Sequence, residues 1–122
     1  KCIFVTNSKQ SKEKADILFT NQKIDGVFAL DENDSVAALR ISLKKGYKVP
    51  EDLSIIGFAD GILASRRLSP SLTTVSQHGP EIGAAAAKLL IERLESKEKE
   101  CPYKTTVIKT ELRLRESTRI LK

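Results

Sequence analysis

Tryptophan and methionine are absent from this 122-residue chain, aromatic residues make up only 5% of it, and there are two cysteines and one histidine. So few flat side chains leave no run of interleaved aromatic and basic residues on which nucleotide bases could stack. Cys2 and Cys101 lie near opposite ends without C-x-x-C spacing, and His78 is the only imidazole. Neither a zinc site nor a disulfide framework is supported, so no metal is expected and two free thiols in a reducing cytoplasm fit best. No apolar run approaches the roughly 20 residues that cross a bilayer, and residues 1–7 are too short in apolar length for a signal peptide. A membrane partner is therefore not expected. The six glycines never fall into G-x-G-x-x-G, G-x-x-x-x-G-K-[ST] or G-x-S-x-G. Phosphate cradles, dinucleotide sites and nucleophile elbows lack the backbone geometry they need, so no cofactor and no catalytic residue are expected.

What is present is the profile of one soluble globular domain, 40% hydrophobic and 30% charged. Twenty-one Lys and Arg against sixteen Asp and Glu give a net charge of +5. The basic residues are interspersed with acidic ones, as in Lys12-Glu13-Lys14, which describes a solvated mixed surface more than a nucleic-acid footprint.

Periodicity orders the chain as alternating strands and helices. Residues 2–5 form a short apolar run, and Ser11 can cap a helix carrying Ala15, Leu18 and Phe19. Val27 to Leu30 make a second strand, ending at Asp31. A helix follows to about Lys45, with Asn33 or Asp34 as N-cap, Val36, Leu39 and Leu43 on one face, and Gly46 as its stop. Residues 53–58 are a third strand, too apolar for a sheet with a wet face. Strand, helix, strand, helix, strand implies right-handed crossovers and a layered α/β fold around a parallel sheet covered on both faces. Residues 72–76 are extended again. The longest helix starts near Pro80 and places Ile82, Ala86, Leu89, Leu90 and Leu94 on one stripe. Residues 105–115 close the chain as a strand in which Leu112 and Leu114 alternate with Arg113 and Arg115, so that one face is wet.

In such sheets ligands bind at the carboxyl ends of the strands. That rule selects Thr6 and Asn7, Asp31, Ala59 and Asp60, and Gln77 and His78. Short carboxylates and amides there suit a hydroxyl-rich or heterocyclic ligand. Each has a simpler role as well: Asp31, Asn33 and Asp34 precede a helix and can cap it, Asp60-Gly61 is a turn pair, and His78 adjoins a helix start. Asp31 and Asp60 as a hydrolytic pair, or with Asp34 as a magnesium cluster, is a weaker enzymatic alternative.

The segments from Asp25-Gly26-Val27-Phe28-Ala29-Leu30-Asp31-Glu32-Asn33-Asp34 through Gly46-Tyr47-Lys48-Val49-Pro50-Glu51-Asp52-Leu53-Ser54-Ile55-Ile56-Gly57-Phe58 resemble the C-terminal half of LacI/GalR transcriptional regulators. Ser69-Pro70-Ser71-Leu72-Thr73-Thr74-Val75-Ser76-Gln77, then Ile82-Gly83, Leu89-Leu90 and Leu114-Arg115-Glu116-Ser117-Thr118 continue the resemblance in order and spacing. It covers residues 25–118; residues 1–24 agree only as a strand and a helix. The resemblance implies a periplasmic-binding-protein-like fold of two subdomains with a small sugar-like effector in the cleft, a homodimer, and operator DNA bound by an N-terminal helix-turn-helix absent from this sequence. Residues 1–122 would be one partial effector-binding domain. Of these, 1–76 and 105–122 belong to the C-terminal subdomain, while 77–104 are a crossing segment and a helix that packs in the N-terminal subdomain. That helix would then expose its apolar stripe unless it packs on a neighbouring molecule or in a rearranged position. By the same resemblance Asp31 faces the effector and Gln77 lies where the chain leaves the cleft. Relatives often carry an aspartate where Ala59 stands here, and Asp60 is expected to substitute for it in part. An extracytoplasmic sugar receptor of a transporter shares the fold and is the alternative. Because the basic residues are scattered, a gel-shift with residues 1–122 alone is expected to show no specific retardation of operator DNA; salt-sensitive specific retardation would contradict that expectation.

Overall fold

The computed structural model describes Phe19 and residues 24–61, 67–96 and 102–119. The expected first strand at 2–5, Thr6 and Asn7, the Ser11 cap and both cysteines lie outside the described residues.

Among the described residues four short strands form one sheet in the order β1 (Gly26–Ala29), β2 (Ser54–Gly57), β3 (Thr73–Ser76) and β4 (Glu111–Arg113). β1 and β2 run parallel with Gly26 opposite Ser54 and Ala29 opposite Gly57, and β3 continues the parallel set with Ile56 opposite Thr73. β4 is the departure from an all-parallel sheet: it joins β3 antiparallel, with Thr74 opposite Arg113 and Ser76 opposite Glu111. It is also shorter than the strand expected over 105–115. It has no dry face either: Glu111, Leu112 and Arg113 are all exposed, Leu114 beyond it is 64% exposed, and only the Arg115 side chain, also beyond it, is largely covered at 18%. Alternation identifies two faces of a strand but not whether either is covered.

Helix α1 (Glu32–Lys44) crosses between β1 and β2. Its N-cap is Asp31 and neither Asn33 nor Asp34, because Asp31 is where the extended backbone ends and its Oδ1 accepts from the Asp34 amide at 2.8 Å. Such a cap is worth about 1 kcal/mol. The buried stripe is Ser35, Ala38, Leu39 and Ser42, while Leu43 is 44% exposed. Two serines can be buried because each satisfies its hydroxyl within the helix, Ser35 on the Asp31 carbonyl and Ser42 on the Leu39 carbonyl. Their small size brings the helix onto the sheet, and Ser35 fills the space that a side chain at Gly57 would need. Gly46 follows with a positive φ of 85° and stops the helix as expected.

The core cluster joins Phe19, Ile24, Leu39, Val49, Leu53, Ile55 and Leu72, with Tyr47 edge-on to Phe19. Each fully buried Leu or Ile contributes about 1.5–3 kcal/mol. Helix α2 (Gly79–Glu95) contrasts with this: Pro80 sits in its first turn as expected, but none of its residues is buried. Its stripe is open, with Ile82 45%, Leu90 57% and Leu94 75% exposed.

The segment after β4 completes the sheet. β2 and β3 pair over only two residue positions, and below them the gap is filled by Ser117. The Ser117 hydroxyl donates to the Ile55 carbonyl at 2.6 Å and accepts from the Thr73 amide at 2.8 Å, while the Ile55 amide donates to the Ser117 carbonyl at 2.9 Å. Ser117→Ala would orphan the buried amide of Thr73 and weaken the bonding of Ile55. A destabilisation of about 2–4 kcal/mol is expected, measured by denaturant unfolding of the intact protein.

Candidate functional site

Asp31, Asp60 and Gln77 follow β1, β2 and β3, three adjacent parallel strands, so the topology brings all three expected residues to one edge of the sheet. They do not play equal parts there. Asp31 is exposed, and one of its oxygens is committed to the α1 cap. Gln77 is exposed directly after β3. The Asp60 side chain is only 7% exposed and turns inward against the sheet.

Asp60 is the centre of a polar cluster. Its Oδ1 accepts from Thr74 Oγ1 at 2.7 Å and from Arg115 Nη2 at 2.6 Å, and its Oδ2 accepts from Arg113 Nη1. Arg115 Nη1 donates in turn to Thr74 Oγ1 at 2.8 Å and to the Leu72 carbonyl at 2.6 Å. The carboxylate expected to replace an acceptor at Ala59 is therefore engaged with two guanidinium groups. Its immediate effect is to tie the loop after β2 to β3 and β4.

Three participants at this edge were not selected from the sequence. Arg115 and Arg113 carry no local signal, since the groups they hydrogen-bond at this edge lie more than 40 residues away. Glu32 is the third: its carboxylate occupies the space a side chain at Gly61 would need, which brings the β1–α1 loop against the loop after β2. The Asp60-Gly61 pair was the available hint, because glycine is what permits that approach.

His78 stands at the start of α2 in the left-handed region, φ 53° and ψ 51°, without capping the helix through its side chain. Its Nδ1 lies 3.2 Å from Glu81 Oε1 and its Nε2 lies 3.7 Å from Glu111 Oε2. Among the described residues no group of three or more His, Cys, Asp or Glu is arranged to hold a metal ion. Open cavities among the described residues lie elsewhere. One of about 630 Å³ lies beside Phe19, Tyr47 and Asp52, before the amino ends of β1 and β2. Another, of about 480 Å³, lies beside Ser54, Ile56 and Leu114. Neither is lined by Asp31, Asp60 or Gln77.

The profile of the periplasmic binding protein-like domain family matches residues 2–118. The chain is 39% identical over 105 residues to the ribose operon repressor of Halalkalibacterium halodurans, covering 84% of this chain and 30% of that protein. It is 37% identical over 105 residues to the HTH-type transcriptional repressor PurR of Histophilus somni, covering 86% of this chain and 31% of that protein. Among solved structures, a LacI family transcriptional regulator from Enterococcus faecium with bound ribose superposes with a TM-score of 0.81 at 32% identity, over 94% of this chain and 42% of that one. The chain thus spans about 30% of the length of these curated relatives.

Burial alone would raise the Asp60 pKa. The hydrogen bonds from Arg115 and Thr74 and the charges of Arg115 and Arg113 outweigh it and hold the carboxyl below its ordinary value of 3.8. A depressed carboxylate contributes stability that is fully present above that ordinary value and is lost as pH falls through the lower folded value. Asp60→Asn should therefore destabilise the protein at neutral pH, and its difference from wild type should shrink as pH is taken below about 3.8, followed by denaturant unfolding at each pH.

Proposed function

The chain belongs to the periplasmic binding protein-like domain family, as a LacI/GalR effector-binding region, and from that membership we propose that it senses a sugar of the ribose class to control operator binding by a DNA-binding head elsewhere in the full-length protein. The observation that carries this reading is the convergence of Asp31, the Asp60 loop and Gln77 on one sheet edge. It is supported by the likeness to a regulator solved with bound ribose. A further regulator from Arthrobacter, 33% identical, was solved with lactose, which keeps hydroxyl-rich ligands as the class.

In this reading Asp31 and Gln77 bind ligand hydroxyls directly. Ala59 offers a methyl group and no acceptor. Asp60 serves from behind, fixing the loop through Arg113 and Arg115. Residues 77–104 are the crossing segment and the helix that packs in a second subdomain, which accounts for the open stripe of α2. The protein works as a homodimer in the cytoplasm and carries out no covalent chemistry. Ligand acts by linkage: it favours one arrangement of the subdomains, and the dimer shifts between forms that do and do not place two heads on adjacent half-sites. A transporter's sugar receptor would use the same fold, but the curated relatives above are named as repressors.

Asp31→Asn separates ligand contact from helix capping, because asparagine caps as well as aspartate. Calorimetric titration of the full-length protein with ribose should give saturable binding. Asp31→Asn should weaken it about 5- to 30-fold, the loss of about 1–2 kcal/mol in one charged hydrogen bond, with unfolding midpoints unchanged. Unaltered affinity in that variant would remove Asp31 from the site.

A further inference from the structure

A chain of polar side chains leaves the sheet edge and ends at the helix that departs from it. Asp60 Oδ2 accepts from Arg113 Nη1, and the Nε of the same guanidinium lies 3.6 Å from Glu111 Oε2. The same Glu111 oxygen lies 3.7 Å from His78 Nε2, whose other ring nitrogen lies 3.2 Å from Glu81 Oε1. The participants come from the loop after β2, from β4, from the two-residue connection between β3 and α2, and from the first turn of α2. Behind Asp60 the chain is anchored by Arg115 and Thr74.

Arg113 is the link that makes this chain stiff. Its planar guanidinium donates to Asp60 through Nη1 and faces Glu111 across 3.6 Å through Nε, so that one rigid group stands between the two carboxylates. A lysine could supply the charge but not that fork. At the far end, His78 is the only non-glycine residue with positive φ among the described residues. A side-chain-bearing residue seldom holds that conformation unless its surroundings impose it. Here the ring's carboxylate neighbours are Glu81 at 3.2 Å and Glu111 at 3.7 Å.

We propose that Arg113 and Glu111 are positioning residues that couple the Asp60 loop to the backbone at His78, so that displacement of that loop alters the direction in which α2 leaves the sheet. The proposed function enters only in naming a bound sugar as what displaces the loop; the coupling itself needs no ligand.

The reporter is the Ile82 amide, which donates to the His78 carbonyl at 3.0 Å. Its hydrogen exchange is measured in the ligand-free full-length protein. Arg113→Lys, which keeps the charge and loses the fork, should raise exchange about 3- to 10-fold, and Asp60→Asn should do the same. In a protein already carrying Arg113→Lys, Asp60→Asn should add nothing further. Unchanged exchange in Arg113→Lys, or two effects that multiply independently, overturns the proposal. Glu92→Gln, which breaks only the ion pair with Lys104, should leave the Ile82 amide as in wild type; an equal rise there would mean general fraying of α2 and would also overturn it. Should Asp60→Asn fail to fold, Glu111→Gln replaces it under the same criteria, since that side chain is 59% exposed. Coupling found without any ribose binding would refute the effector assignment and leave the coupling standing.

Discussion

The sheet depends on one hydroxyl. Ser117 stands between β2 and β3 where the two strands have parted, and it supplies the donor and acceptor that Ile55 and Thr73 would otherwise seek from each other. A buried amide or carbonyl without a partner is costly, so the junction holds only when this late segment is in place. Its neighbours act in concert. Glu116 accepts from the amide and the hydroxyl of Ser71, and Thr118 meets Thr73 Oγ1 at 2.7 Å. Leu72, the residue between these contacts, is wholly buried in the core. Four consecutive residues, Arg115 to Thr118, thus stitch the chain's end to its third strand.

That stitch is also what positions the edge of the sheet. Once Ser117 is seated, Arg115 is fixed beneath Thr74, where its guanidinium reaches Asp60. A guanidinium this enclosed would be unfavourable alone, and it is tolerated because the Leu72 carbonyl, the Thr74 hydroxyl and the Asp60 carboxylate all accept from it. In this way a constraint met at one end of the strands sets the conformation of the loop after β2 at the other. The loop after β1 is held separately, through the Asp31 cap and the contact of Glu32 with Gly61.

Much of this was legible in the sequence, and the exceptions have physical causes. Apolar runs marked β1 and β2, and the polar residues after them marked their carboxyl ends, because a parallel strand covered on both faces is largely apolar; β3 was readable only as an extended segment, since its buried Thr73, Thr74 and Ser76 break the apolar pattern. Gly46 and Pro80 marked helix ends through backbone preference alone. Interactions between distant segments could not be read this way. Leu112 to Arg115 show a period of two, but the partners that bury Arg115 lie at positions 60, 72 and 74. The cap of α1 had three candidates within four residues, decided by where the backbone leaves the extended region. Ser35 and Ser42 escaped an apolar pattern because their hydroxyls are satisfied inside their own helix. At the candidate site, position was readable while orientation was not: Asp60 stands at the expected edge and points inward.

The two segments that leave the sheet do so side by side. Ser76 and Glu111 are partners in the last pair of the β3–β4 ladder, one residue before Gln77 and at the first residue of β4. Farther out the same two segments meet again, where Arg93 lies 5.0 Å from the Tyr103 ring centroid and Lys104 Nζ lies 3.1 Å from Glu92. Exposed contacts of that kind are weak, about 0–1 kcal/mol for an ion pair, and they hold α2 to the returning segment more than to the core. With no residue of α2 buried, the sheet restrains the helix chiefly through the few residues around Ser76 and Glu111. Arg113 of β4 stands between Glu111 and the Asp60 carboxylate, so the polar cluster of the edge and the narrow connection of α2 meet at one place.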